Sequence, residues 1–107
     1  MLNKFNHTTK IIGVLGHPIK HSFSPLMHNL SFELLGLDYI YLPFDVPLAL
    51  LSDSLKGIRA LGIKGFNVTL PLKEKIIQHI DELSEEASII GAVNTIVNDN
   101  GVLHGYN

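Results

Sequence analysis

In "KIIGVLGHPIKHSFSPLMHN", Lys10 to Asn29, a strand pattern gives way to a helix pattern across a polar loop. "KIIGVLG" is a short β-branched apolar run closed by glycine, as a buried strand should be. Ser24 and Pro25 read as a helix start, because a serine hydroxyl can satisfy an orphan amide and proline fits the first helical turn. Leu26, Met27, Leu30 and Leu34 then recur at helical spacing, and Gly36 supplies the stop. The loop between holds His17, Lys20, His21 and Ser22, more polar chemistry than a simple connection requires.

The same unit recurs downstream. "YIYLPFDV", Tyr39 to Val46, reads as a second strand, and "LALLSDSLKGIRALG", Leu48 to Gly62, as a second helix weakened by Gly57. "KGFNVT", Lys64 to Thr69, is a third strand, and Pro71 opens a third helix with Leu72, Ile76, Ile80 and Leu83 on one face. A further helical segment, "SEEASIIG", leads to "AVNTIV" and "VLHGYN", joined by "NDNG" with the Asn-Gly pair favoured in tight hairpins. The alternation predicts an α/β fold: an open, mostly parallel sheet flanked by helices, closed by a C-terminal antiparallel hairpin. There is no internal repeat, low-complexity tract or linker.

Composition narrows the function classes. At 107 residues the chain is one domain's worth, and 46% hydrophobic against 17% charged residues is the balance of a folded domain. The formal net charge of −2 comes from interspersed acids and bases without a basic stripe, so nucleic acid is not an expected partner. The absence of cysteine excludes disulfides and thiolate metal sites and suits a reducing compartment. "MLNKFNHTTK" lacks the apolar core of a secretory signal, and no later run reaches membrane-spanning length, so a cytoplasmic protein without a membrane partner is expected. Pro18 between His17 and His21 rules out a shared helical face, HExxH spacing is missing, and no metal is expected. Neither GxGxxG nor GxxxxGK[ST] occurs.

In an open parallel sheet the strand-to-helix loops gather at the strands' carboxyl ends, where ligands bind. The first such loop carries Ser22 and Ser24, and the third carries Asn67, Thr69 and Lys73, so these side chains are expected to converge. Hydroxyls and unpaired amides at helix starts suit an anionic or oxygen-rich ligand. Each residue also has a purely structural use: Ser24 and Thr69 as caps, Lys73 as a solvated helix residue, Asn67 and Asn94 as loop-backbone partners.

Taken together, "GHPIKHSFSPLMHN", "GFNVTLPLKE", "DELSEEASIIGAVNT" and the final "GYN" resemble the successive signature blocks of the shikimate dehydrogenase family, in order and at compatible spacing. The resemblance runs from about Lys10 to the end and includes the uncommon NVT-x-P-x-K arrangement. It implies that residues 1–107 form the N-terminal substrate-binding domain, and that the NADP-binding Rossmann domain is absent from this chain. The family enzyme reversibly reduces 3-dehydroshikimate to shikimate with NADPH in aromatic amino-acid biosynthesis.

By this resemblance Ser22 and Ser24 would hydrogen-bond the substrate carboxylate, and Asn67, Thr69, Lys73 and Asn94 would surround the ring and its hydroxyls. Lys73 would be the catalytic proton-transfer group, working with an aspartate of the family's G-x-N-T-D block, of which this chain contains the part ending at Asn107. Independently of the family, the alkoxide left by hydride addition to a ketone needs a proton, and an ammonium can polarise the carbonyl and supply one. The chain alone is expected to bind no NADP, to lack dehydrogenase activity, and to self-associate as a homodimer over apolar surface left uncovered. The alternatives are the corresponding domain of a quinate/shikimate dehydrogenase and a stand-alone small-molecule binding module.

Overall fold

The computed structural model describes residues 4–20 and 22–107, and His21 of the loop lies outside them. The elements are β1 (Lys10–Gly16), α1 (Ser24–Leu35), β2 (Tyr39–Asp45), α2 (Leu51–Leu61) preceded by a 3-10 turn at Leu48–Leu50, and β3 (Gly65–Val68). A 3-10 helix at Lys75–His79, β4 (Glu82–Leu83), α3 (Glu85–Ile90), β5 (Thr95–Asp99) and β6 (Val102–Tyr106) follow. All strands join one sheet in the order β2-β1-β3-β5-β6-β4. β1 is parallel to β2 and β3, and β4 is parallel to β6, whereas β5 runs antiparallel to both β3 and β6. The expected α/β architecture is present, with the β5–β6 hairpin turning at Asn100 and Gly101, φ 51° and 93°, a left-handed pair that an Asn-Gly sequence tolerates.

The sheet's two faces are unequally covered. On one, Leu15, Phe66, Val68, Ile96 and Leu103 pack with Leu51, Leu55 and Ile58 of α2 and with Leu72, Ile76 and Ala87 into one continuous core. On the other, only Val14, Ile19 and Tyr41 are fully buried, with Ile12 and Phe32 against them. α1 lies on this second face yet contains no buried residue. Leu26, Met27, Leu30 and Leu34 were the apolar side chains expected at helical spacing, and they are 70%, 66%, 55% and 78% exposed. The helix instead turns Asn29 and Phe32 toward β2. Strand alternation places Val97, Val102 and Tyr106 on this same under-covered face, all exposed.

Two local expectations are corrected. The helix expected over Leu72–Leu83 is a tight 3-10 segment, with Ile77 and Ile80 amides donating three residues back, to Glu74 and Ile77 carbonyls. The chain becomes extended at Ile80, φ −96° and ψ 136°, because Asp81 and Glu82 are drawn into pairing with β6. The Asp81 amide donates to the Leu103 carbonyl at 3.0 Å, and its carboxylate accepts from the Leu103 amide at 2.7 Å. Nor does Ser24 cap α1: Phe23 holds the cap position without a side-chain bond, and Ser22 Oγ accepts from the Ser24 amide at 3.2 Å.

The Leu103 amide, helped by Arg59, holds the Asp81 carboxyl below its ordinary value of 3.8. A depressed carboxyl contributes stability that is present above the unfolded-state pKa and lost as pH falls through the folded one. Urea unfolding from about pH 5 to pH 2 is expected to show a steeper acid loss for the wild type than for Asp81→Asn. Parallel curves would remove Asp81 as the acid-sensitive clamp between Arg59 and the hairpin.

Candidate functional site

The site is built where β1 and β3 end side by side. Their parallel pairing, with Val14 opposite Asn67 and Leu15 opposite Val68, sends both following loops off the same sheet edge. The Thr69 amide donates to the Leu15 carbonyl at 2.9 Å and the His17 amide to the Leu70 carbonyl at 3.1 Å, so the two loops are stitched together as they leave. The His17–Pro18 and Leu70–Pro71 peptide bonds flanking this junction are both cis. Gly16 is packed so closely that a β-carbon there would overlap the Thr69 side-chain methyl and would lie 3.1 Å from Ile19 Cδ1.

Between the loops lies a concavity of about 340 Å3 with an apolar floor of Val14, Ile19 and Val68 and a polar rim of Ser22, Ser24, Asn67 and Thr69. Four of the six residues expected to share a site therefore do line one hollow. Lys73 and Asn94 stand beside it. The Lys73 carbonyl accepts from the Val93 amide at 2.9 Å, and the Asn94 carbonyl from the Val68 amide at 2.9 Å, which places the Lys73 backbone and Asn94 along the β3 side of the hollow. Asn94 reaches this edge because β5 is antiparallel to β3, so the start of β5 meets the end of β3. Lys73 is half-buried, and among the described residues no carboxylate pairs with it.

The polar groups are wired together by residues that the sequence reading did not single out. Tyr41, 2% exposed, donates its hydroxyl to Asn67 Oδ1 at 2.7 Å. Its backbone is clamped by Asn29, whose Nδ2 donates to the Tyr41 carbonyl and whose Oδ1 accepts from the Tyr41 amide, both at 2.8 Å. The His28 ring stacks on the Tyr41 ring at 4.2 Å between centroids. Burial raises the Tyr41 pKa above 10.0, opposed by a hydrogen bond with Ser24. Thr95 Oγ1 donates to Asn94 Oδ1 at 3.0 Å. A phenol at a buried strand position, where only the polar tip needs a partner, was the one available signal for Tyr41. At the outer rim His17 Nδ1 and Asp45 Oδ1 approach to 2.7 Å, joining the ends of β1 and β2.

A second hollow, about 270 Å3, lies at the opposite edge under Arg59 and Lys64. Its arginine is already engaged with the Gly101 and His79 carbonyls and with Asp81, at 3.1, 3.0 and 3.3 Å. That guanidinium serves the fold. Among the described residues no helix is long and apolar enough to cross a membrane.

The family model for the shikimate dehydrogenase substrate binding domain matches residues 14–96. The chain is 57% identical over 104 residues to a shikimate dehydrogenase (NADP(+)) of Caldanaerobacter subterraneus subsp. tengcongensis, covering 97% of this chain and 37% of the relative. It superposes on the shikimate 5-dehydrogenase of Listeria monocytogenes, solved in complex with shikimate and NAD, with a TM-score of 0.92, 48% identity, and coverage of 95% and 35%. A 5-ketofructose reductase of Gluconobacter sp. superposes with a TM-score of 0.92 at 32% identity, covering 95% and 37%. The chain thus spans little more than a third of the length of the curated relatives it matches, 37% in the Caldanaerobacter case. Fold, motif order and family match agree: the chain belongs to the shikimate dehydrogenase substrate-binding domain family.

Proposed function

We propose that this domain holds shikimate and 3-dehydroshikimate in the hollow between the β1 and β3 loops, for their interconversion by an NADP-dependent shikimate dehydrogenase. The observation that carries the reading is the meeting of Ser22, Ser24, Asn67 and Thr69, from two separate strand ends, around one concavity. In this reading the serine hydroxyls donate to the ligand carboxylate, while Asn67, Thr69 and Asn94 bond the ring hydroxyls. Lys73, at the side of the hollow, gives a proton to the carbonyl oxygen as it becomes an alcohol and takes it back in reverse.

The residues described do not fit NADP. Residues 17–23, the first strand-to-helix loop, contain no glycine, Gly16 at the end of β1 has its open side filled by Thr69 and Ile19, and Ser22 Oγ already occupies the Ser24 amide at the start of α1. No glycine-rich cradle for a pyrophosphate remains at that helix start. In the proposed reading residues 1–107 are the substrate domain and the dinucleotide is held by the NADP-binding domain of the enzyme. The exposed leucine stripe of α1 together with Val97, Val102 and Tyr106 supports self-association as a homodimer. The cysteine-free composition suits a cytoplasmic setting.

Titration of shikimate into the 15N-labelled chain is expected to shift the amides of Ser22, Ser24 and Thr69, with weak affinity on the order of millimolar. Equal concentrations of NADP should leave the spectrum unchanged. Tighter binding of quinate or 5-ketofructose than of shikimate would redirect the substrate assignment. Shifts centred on Arg59 and Lys64 would move the site to the other edge.

A further inference from the structure

The cleft's carboxamides are oriented from behind, by a group that does not line it. We propose that Tyr41 is a positioning residue whose hydroxyl proton fixes the Asn67 carboxamide with its amide nitrogen as the ligand-facing donor, so that the cleft selects ligand oxygens as acceptors.

A phenol carries one proton, and an asparagine side chain offers one accepting oxygen and one donating nitrogen. The Tyr41 hydroxyl gives its proton to Asn67 Oδ1 at 2.7 Å, which engages the accepting atom of the carboxamide. Of the two Asn67 Nδ2 protons one reaches Thr95 Oγ1 at 3.4 Å, while the other meets only the Asn94 carbonyl at 3.5 Å, beyond the ordinary hydrogen-bond range, and so is available to a ligand in the hollow that Asn67 lines. Thr95, taking a proton from Asn67, passes its own to Asn94 Oδ1 at 3.0 Å. Asn94 is thereby turned the same way, with Nδ2 left to donate, here to Asn107 Oδ1 at 3.4 Å. One phenolic proton sets the polarity of the chain Tyr41, Asn67, Thr95, Asn94.

Tyr41 is held for this task. The paired bonds from Asn29 fix its backbone to α1, and the His28 ring covers its own. A phenol is protonated at neutral pH, and burial moves its pKa further upward. A phenylalanine would pack in the same place but would leave the carboxamide free to turn over, offering its oxygen to a ligand carboxylate or hydroxyl lone pair.

This inference rests on the reading of Asn67 as a ligand contact, and the test separates the two. In the ligand-free 15N-labelled chain, Tyr41→Phe is expected to shift both Asn67 Nδ2 proton resonances well beyond their line widths. Unchanged resonances overturn the proposal, whatever shikimate does. With shikimate, Tyr41→Phe is expected to weaken binding by about 5- to 10-fold, and in an Asn67→Ala background the same change should alter it by less than about 2-fold. Equal losses in both backgrounds would mean that Tyr41 acts as general scaffold, which also overturns the proposal. If the wild type gives no response to shikimate at Ser22 or Thr69, the substrate reading fails while the carboxamide resonances still decide the role of Tyr41. Because the ring and its stacking partner are kept, the variant retains the buried packing of the wild type, which the backbone amide spectrum reports directly.

Discussion

Lys73→Met, in a full-length shikimate dehydrogenase carrying this domain, is expected to lower kcat by about 10²-fold or more while changing shikimate affinity only a few-fold. The reason lies in where the lysine stands. Its backbone is anchored by the Val93 amide at 2.9 Å, next to Asn94, and the residue is half-buried and not part of the four-residue rim. Ground-state binding can rest on Ser22, Ser24, Asn67 and Thr69, whereas the oxygen that changes from carbonyl to alcohol needs a proton only as the reaction proceeds. An interaction made chiefly in the transition state shows in kcat, and methionine keeps the length and apolar stem of lysine while removing the proton. Steady-state kinetics with shikimate varied at saturating NADP separates the two effects. Near-normal turnover, or a rise in KM with kcat preserved, would take Lys73 out of the chemistry and leave it a binding residue.

Gly16→Ala is expected to injure the site through the fold. The added methyl would overlap the Thr69 side-chain methyl and meet Ile19 Cδ1 at 3.1 Å and the Leu70 carbonyl at 3.2 Å. Thr69 cannot simply retreat, because its amide is bonded to the Leu15 carbonyl immediately before Gly16. Either that bond stretches or Thr69 rotates out of the hollow. Overpacking of this kind costs about 1–3 kcal/mol of stability. Loss of the Thr69 contact is expected to reduce shikimate affinity by roughly 10-fold, about 1.4 kcal/mol. The paired control is Gly57→Ala in α2, where a β-carbon meets nothing within 4 Å and helix propensity favours alanine by roughly 1 kcal/mol. A Gly16→Ala protein as stable and as tight-binding as the control would show that the strand-end junction has more room than its packing indicates.

Much of the architecture is local and was therefore legible in the residues. A β-branched run specifies β1, glycines at 36 and 62 end α1 and α2 in the left-handed conformation, and Asn100-Gly101 turns the hairpin, because each depends on dihedral preferences within a few residues. Parallel pairing then follows from alternation, and with it the placement of Ser22, Ser24 and Thr69 on one edge. Other features depended on partners distant in the chain. Ile80 to Leu83 carry apolar residues at helical spacing, yet hydrogen bonding of Asp81 to Leu103 makes the segment a strand edge. The leucines of α1 have the period of a buried face, but the bonds between Asn29 and Tyr41 turn a different face of the helix to the sheet. Asn94 joins the site only because β5 enters antiparallel to β3, and Asn67 is oriented by a tyrosine 26 residues earlier in the chain. Periodicity records which residues can share a face; which face is covered, and which way a carboxamide points, is settled by hydrogen-bond partners that only the assembled sheet brings within 3 Å of one another.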